Sequence, residues 1–113
     1  MKNANSNQPP IACDLTVFSL GEREHYSALS QELFAACGKM RELPDGFAFL
    51  FPGKGNWCAK IAEWVMLERR CCPFLSFELV FEADRGPVEL RLRGPQGTKE
   101  FIRGELSALG WMP

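Results

Sequence analysis

The chain has 113 residues, a length typical of one domain, and 46% of them are hydrophobic, as in ordinary globular proteins. Its 13 basic and 14 acidic side chains give a net charge of −1, which argues against the broad basic surface of a nucleic-acid-binding protein. No apolar run approaches the roughly 20 residues that span a bilayer. The composition therefore excludes nucleic-acid and membrane partners and leads us to expect a cytoplasmic location.

The first ten residues are rich in Asn, Ser and Pro and lack the apolar segment of a signal peptide. This composition predicts a disordered tail over residues 1–10, followed by one domain over residues 11–113. From Ile11 to Phe18 the pattern allows either a short strand or a lead-in segment that lies against the core.

A first helix is predicted from Leu20 to Cys37. Ser19 and Glu22 have the spacing of a capping box, in which the hydroxyl and the carboxylate each accept a backbone N–H. Apolar side chains then recur at helical intervals, and Gly38 is a typical helix stop.

A hairpin follows, with strands over Met40–Leu43 and Phe47–Phe51. Pro44-Asp45-Gly46 predicts a three-residue turn, because Pro presets φ and Gly accepts positive φ. If Leu43 faces Phe47, the two faces of the hairpin carry Leu43, Phe47, Phe49 and Phe51 on one side and Met40, Ala48 and Leu50 on the other.

Both faces of this hairpin would then be apolar, and only one of them can line the core. Soluble monomers seldom expose large apolar patches, so the second face predicts a homodimer through the sheet. The alternative is that Ile11–Phe18 or the Trp111-Met112 tail covers the patch within the same chain.

A second helix is predicted from Asn56, a good N-cap residue, to about Cys72, since Pro73 forces its end. Apolar and charged residues then alternate over Ser76–Ala83 and Val88–Arg93, which is typical of strands with one solvated face. Opposed Glu and Arg side chains are expected to pair on that face.

A last helix is predicted from about Pro95 to Leu109. The order is therefore α-ββ-α-ββ-α. Hairpins imply antiparallel pairing, so we expect an α+β fold with a four-stranded antiparallel sheet and the helices packed on one face.

The candidate chemical site is the vicinal pair Cys71 and Cys72, with Glu68 one helical turn before it. Ile61, Val65, Glu68 and Cys72 share one face of the second helix, and Glu68 interrupts that otherwise apolar face. A carboxylate beside two thiols is a candidate ligand set for a soft or borderline metal ion. No second CxxC or CxxH motif completes a set of four ligands.

Two other interpretations remain open at this stage. The first is that Cys71 and Cys72 are small residues at the edge of the core, in a structural or self-associating module with no chemistry of its own. The second is redox or nucleophilic thiol chemistry. Thiols at a helix C-terminus face the negative end of the dipole, which raises their pKa. No set of acid, base and nucleophile is complete, so the sequence does not predict an enzyme.

The remaining cysteines and the histidine have simpler interpretations. Cys58 lies in the first turn of the second helix, where the dipole favours a thiolate, but its apolar stripe favours a packing role. Cys37 and Cys13 are interpreted as packing residues, although Cys13 lies in a loop that can fold towards the pair. His25 is interpreted as a surface residue. All five thiols are expected to be reduced, and Cys58 and Cys72, ~21 Å apart on one helix, cannot form a disulfide.

The stretch Glu68-Arg69-Arg70-Cys71-Cys72-Pro73-Phe74-Leu75-Ser76-Phe77 resembles an E-x-x-CCPF-x-x-F signature that follows a helix in a group of small uncharacterised bacterial proteins. The segment Glu42-Leu43-Pro44-Asp45-Gly46-Phe47 adds to the resemblance, which covers about Ile11 to Leu109. Similar segments accompany some regulators of the mercury-resistance type. The resemblance implies soft-metal binding at Cys71 and Cys72. The chain lacks the DNA-binding helix-turn-helix of those regulators, so a regulator function is not implied.

Overall fold

The computed structural model describes residues 10–111. The predicted disordered tail therefore lies, except for Pro10, outside the described residues. The helices and strands in chain order are α1 (Leu20–Ala36), β1 (Lys39–Leu43), β2 (Gly46–Phe51), α2 (Trp57–Cys71), β3 (Ser76–Phe81), β4 (Val88–Arg93) and α3 (Thr98–Ala108). Within the described part of the chain, no helix is both long and apolar enough to cross a membrane.

The strands form one antiparallel sheet in the order β1-β2-β4-β3. This confirms the predicted α+β fold with a four-stranded antiparallel sheet. On its inner face, β2 pairs aromatic side chains with aliphatic ones of β4, and these residues are at most 3% exposed: Phe47 with Leu92, Phe49 with Leu90 and Phe51 with Val88.

The helices cover this inner face. Phe34 of α1 packs its ring edge-on against Phe49 of β2 at 5.2 Å and against Trp64 of α2 at 5.5 Å. The guanidinium of Arg103 on α3 lies 5.1 Å from the ring centre of Phe47. All three helices therefore pack against the sheet through one set of aromatic rings. We call these rings the aromatic layer, and they belong to Phe34, Phe47, Phe49 and Trp64.

The register of the first hairpin differs from the prediction. The strands are joined by two residues instead of three, so that Leu43 lies opposite Gly46 and Met40 lies opposite Phe49. A shift of one residue moves every side chain of a strand to the other face. Met40 therefore lies on the inner face and Leu43 on the outer one, which corrects the predicted grouping. Gly46 belongs to β2 because it pairs with Leu43 and Arg93, and position 46 requires glycine because a Cβ atom there would lie 1.7 Å from the carbonyl oxygen of Leu92.

Ion pairs cross the outer face of the sheet. Arg41 on β1 and Arg91 on β4 both contact Glu89, at 2.9 and 2.7 Å, and Arg93 contacts Glu78 of β3 at 2.7 Å. The predicted pairing of Glu and Arg on a solvated face is therefore confirmed.

The homodimer stays a prediction, although the register changes which apolar residues lie on the outer face. Leu50 and Val80 are half-buried there, Leu43 is buried there, and Met40 lies on the inner face. If the sheet is the interface, the wild type sediments as a dimer at micromolar concentration, and Leu50→Glu, which places a charge in that interface, sediments as a monomer. A wild-type monomer would remove the prediction.

Several local predictions concern helix ends. The capping box is confirmed, since the Ser19 hydroxyl accepts from the Glu22 N–H at 3.1 Å and the Glu22 carboxylate accepts from the Ser19 N–H at 2.9 Å. Asn56 precedes α2 without a side-chain cap hydrogen bond. α3 begins at Thr98 instead of Pro95, after Gly97 in a left-handed conformation with φ of 100°. The ambiguous segment before α1 contains a 3-10 turn at Leu15–Val17 and is not a strand.

Candidate metal centre

The vicinal pair lies at the C-terminal end of α2, inside the core. Cys71 is 0% exposed and Cys72 is 1% exposed. The backbone N–H of Cys72 donates to the carbonyl of Glu68 at 2.8 Å and so closes the last turn, after which Pro73 ends the helix. The two sulfurs are 3.6 Å apart and carry no disulfide.

Cys13 reaches the same place from the segment that precedes α1. The backbone N–H of Asp14 donates to the carbonyl of Cys71 at 2.7 Å, which holds residue 13 beside the end of α2. Further along, Arg70 donates to the carbonyl of Val17 at 2.9 Å and pairs with Glu22 at 3.0 Å. The residue before the vicinal pair thus anchors the segment that carries Cys13.

The result is a cluster of three sulfurs, from Cys13, Cys71 and Cys72, that all lie within 4.8 Å of one another. We call these residues the cysteine cluster. A metal–sulfur bond of about 2.3 Å implies sulfur–sulfur distances of about 4 Å in trigonal or tetrahedral coordination. The cluster is therefore within about 1 Å of a geometry that binds an ion, and small rotations of side chains would complete it.

Glu68 lies next to the cysteine cluster and is 6% exposed. Its carboxylate accepts a hydrogen bond from the hydroxyl of Tyr26 on α1, and its Oε1 atom is 3.8 Å from the Cys71 sulfur. The group of mutually close ligand atoms contains Cys13 and does not contain Glu68. The predicted role of Glu68 as a metal ligand stays a prediction. Cys13, interpreted from the sequence as a packing residue in a loop that can fold towards the pair, supplies the third sulfur of the group.

The three thiols differ in proton affinity because they lie so close together. The neighbouring thiols of Cys71 and Cys72 hold the pKa of Cys13 below its usual value. The proximity of Cys13, together with burial, raises the pKa of Cys71 and of Cys72. Cys13 is also the half-buried member of the cluster, whereas Cys71 and Cys72 are buried.

The acidic side chains at the site have no basic partner among residues 10–111, where no ion pair involves Glu68 or Glu105. Burial raises the pKa of the Glu68 carboxyl to about 8, and burial together with the nearby Cys71 raises the pKa of Glu105. The negative end of the α2 dipole points at the same place. A negative charge on Glu68 or Glu105 is therefore disfavoured at this site.

The raised pKa of Glu68 predicts how stability changes with pH in the metal-free chain. Because the pKa rises from 4.5 to about 8 on folding, the stability gained with a protonated Glu68 is complete below pH 4.5 and is lost as the pH rises towards 8. Cys13 has a lowered pKa and acts in the opposite direction, so the comparison must be made with Glu68→Gln, which keeps the thiols. Relative to this variant, the wild type should lose at least ~1 kcal/mol of unfolding free energy across that range. Denaturant melts that run parallel at every pH would contradict the expectation.

The other sequence candidates lie apart from the cluster. His25 pairs with Glu63 at 2.7 Å and is exposed, which confirms its surface position. Cys37 and Cys58 are half-buried free thiols outside the cluster. Cys58 and Cys72, at opposite ends of α2, are not joined by a disulfide, as expected.

No protein-family model, no curated protein and no solved structure matches the chain. The resemblance of the CCPF stretch to small bacterial proteins therefore stays a prediction. A proposal for the function of the site therefore depends on the geometry of the site alone.

Proposed function

We propose that the chain binds a thiophilic metal or metalloid ion through the sulfurs of Cys13, Cys71 and Cys72. The observation that carries this proposal is the mutual separation of the three sulfurs, at most 4.8 Å. Two of these residues are adjacent in sequence, and the third comes from a separate segment held by the hydrogen bond between Asp14 and Cys71.

The donor set selects a class of ion. Thiolates are soft ligands that favour soft or borderline ions over hard ones such as magnesium or calcium. Three sulfurs match an ion with trigonal coordination, and trivalent arsenic is a simple example because it forms three bonds to sulfur. A tetrahedral ion would need a fourth donor, and the carboxylate of Glu68 lies 3.8 Å from the Cys71 sulfur.

Binding replaces the thiol protons by the ion, which converts two thiols of raised pKa into metal-bound thiolates. The affinity for the ion should therefore increase with pH.

Titration of the reduced chain with arsenite in oxygen-free buffer tests the proposal. We expect one equivalent bound per chain, with native mass increased by one arsenic atom less three protons, and reversal by excess small dithiol. Alkylation of the complex should then spare the cysteine cluster and still label Cys37 and Cys58, which serve as internal controls. Binding that protects Cys37 or Cys58 instead, or no binding, would contradict the proposal.

A further inference from the structure

A cavity of about 380 Å³ lies beside the cysteine cluster, between the three helices and above strands β2 and β4. Its walls are largely aromatic and aliphatic, and they include Phe34, Phe49, Trp64, Leu92, Phe101 and Ile102. Dry apolar cavities of about 150 Å³ are known to bind benzene. The space is therefore large enough for an aromatic ring.

The cavity approaches the cysteine cluster at Glu68. None of Cys13, Cys71 and Cys72 lines the cavity, but Glu68 does, and its Oε1 atom is 3.8 Å from the Cys71 sulfur. Tyr26, which donates a hydrogen bond to Glu68, lines the cavity as well. The apolar space is therefore separated from the Cys71 sulfur by one side chain, that of Glu68.

From this arrangement we infer that the site takes a thiophilic element that carries one organic group, with two sulfurs of the cluster bound to the element and the organic group in the cavity. The inference rests on the proposed function and specifies its ligand class. An element bound by all three sulfurs has no remaining valence directed at the cavity. An element with one carbon substituent needs only two sulfurs, and its third bond requires an apolar space close to them.

Monosubstituted trivalent arsenic shows the chemistry without any change of oxidation state. Phenylarsine oxide reacts with two thiols to form two arsenic–sulfur bonds. The bonds from arsenic to oxygen break, and the oxygen leaves as water with both thiol protons. The arsenic–carbon bond stays intact, and the ring that it carries is the group that the cavity would bury.

The test compares phenylarsine oxide with the methyl analogue on the reduced full chain. Both ligands form the same two bonds to sulfur, and the ratio of their affinities for a small dithiol in solution corrects for intrinsic reactivity. After that correction we expect the chain to prefer the phenyl compound by at least about tenfold, since burial of a ring exceeds the 1.4 kcal/mol that corresponds to a factor of ten.

Cavity-filling variants locate the ring. Ser27 on α1 and Ala108 on α3 line the cavity and are solvent-exposed, so Ser27→Phe and Ala108→Phe each place a new ring at its mouth from a different helix. Either variant should remove the phenyl preference. Ala35→Phe, on the same helix as Ser27 but outside the cavity lining, is the matched control and should keep the preference.

The outcomes separate the inference from the proposed function. A corrected phenyl preference near unity, together with normal arsenite binding, overturns the inference alone. A preference that survives in both cavity-filling variants, with folding verified by circular dichroism, also overturns it because the ring then lies elsewhere. Failure to bind arsenite as well as both organic compounds overturns the proposed function.

Discussion

Replacement of both Cys71 and Cys72 by serine should abolish binding of a thiophilic ion. The substitution removes two of the three sulfurs, and the hydroxyls that replace them are poor ligands for soft ions. Removal of a residue that only hydrogen-bonds to a metal ligand typically lowers metal affinity by roughly 10–100-fold, and removal of two ligands should lower it by more. Arsenite titration followed by native mass spectrometry measures it.

The matched control for this variant is the pair Cys37→Ser and Cys58→Ser, which also removes two thiols but leaves the cluster intact. It should bind one equivalent with wild-type affinity. Cys13→Ser, which removes the half-buried sulfur, should weaken binding to a level between these two cases. Because a buried hydroxyl without a partner costs ~1–3 kcal/mol, Cys71→Ala/Cys72→Ala should be measured as well. Wild-type stoichiometry in both double variants of the vicinal pair would disprove the site.

Phe49→Ala should cause a loss of about 3–5 kcal/mol in unfolding free energy, the range for removal of a buried aromatic side chain. Phe49 is 0% exposed and lies at the centre of the aromatic layer, in edge-on contact with Phe34 at 5.2 Å and with Trp111 at 6.2 Å. A small domain has a total stability of roughly 5–15 kcal/mol, so much of it would be lost. Urea denaturation monitored by tryptophan fluorescence measures the change.

Leu20→Ala is the control for this second prediction. Leu20 is also a large apolar residue, but its side chain is 75% exposed at the start of α1, so its truncation should change stability by no more than about 0.5 kcal/mol. If Phe49→Ala cost no more than Leu20→Ala, the aromatic layer would not be the core of this fold. Phe49 lines the cavity and is not part of the cysteine cluster. A Phe49→Ala variant that lost ion binding but kept its stability would therefore contradict a purely structural role for Phe49.

Much of the fold could be predicted because its signals are local. The capping box of Ser19 and Glu22 marks the start of α1, Pro73 ends α2, and the alternation of apolar and charged residues marks β3 and β4. Each of these signals depends on neighbours within a few residues, which the sequence shows directly. The order of the elements and the antiparallel pairing follow from them.

The register of β1 could not be predicted from local signals. Pro44-Asp45-Gly46 is compatible with a turn of two or three residues, and the choice between them reverses the faces of Met40 and Leu43. The close approach of Gly46 to the carbonyl of Leu92 on β4 accompanies the shorter turn. This contact joins residues far apart in the chain, so no pattern within the hairpin reports it.

The sequence by itself determined the α+β class, the order of helices and strands, and the position of Cys71, Cys72 and Glu68 on one end of α2. Only the tertiary structure decided that Cys13 supplies the third sulfur and that Glu68 is buried against Tyr26. It also decided that these two residues, Glu68 and Tyr26, line an apolar cavity. The physical reason is range. Helix periodicity and turn chemistry act between near neighbours, whereas the meeting of Cys13 with the end of α2 depends on one backbone hydrogen bond, on the ion pair of Arg70, and on the packing of the whole core that brings those groups together.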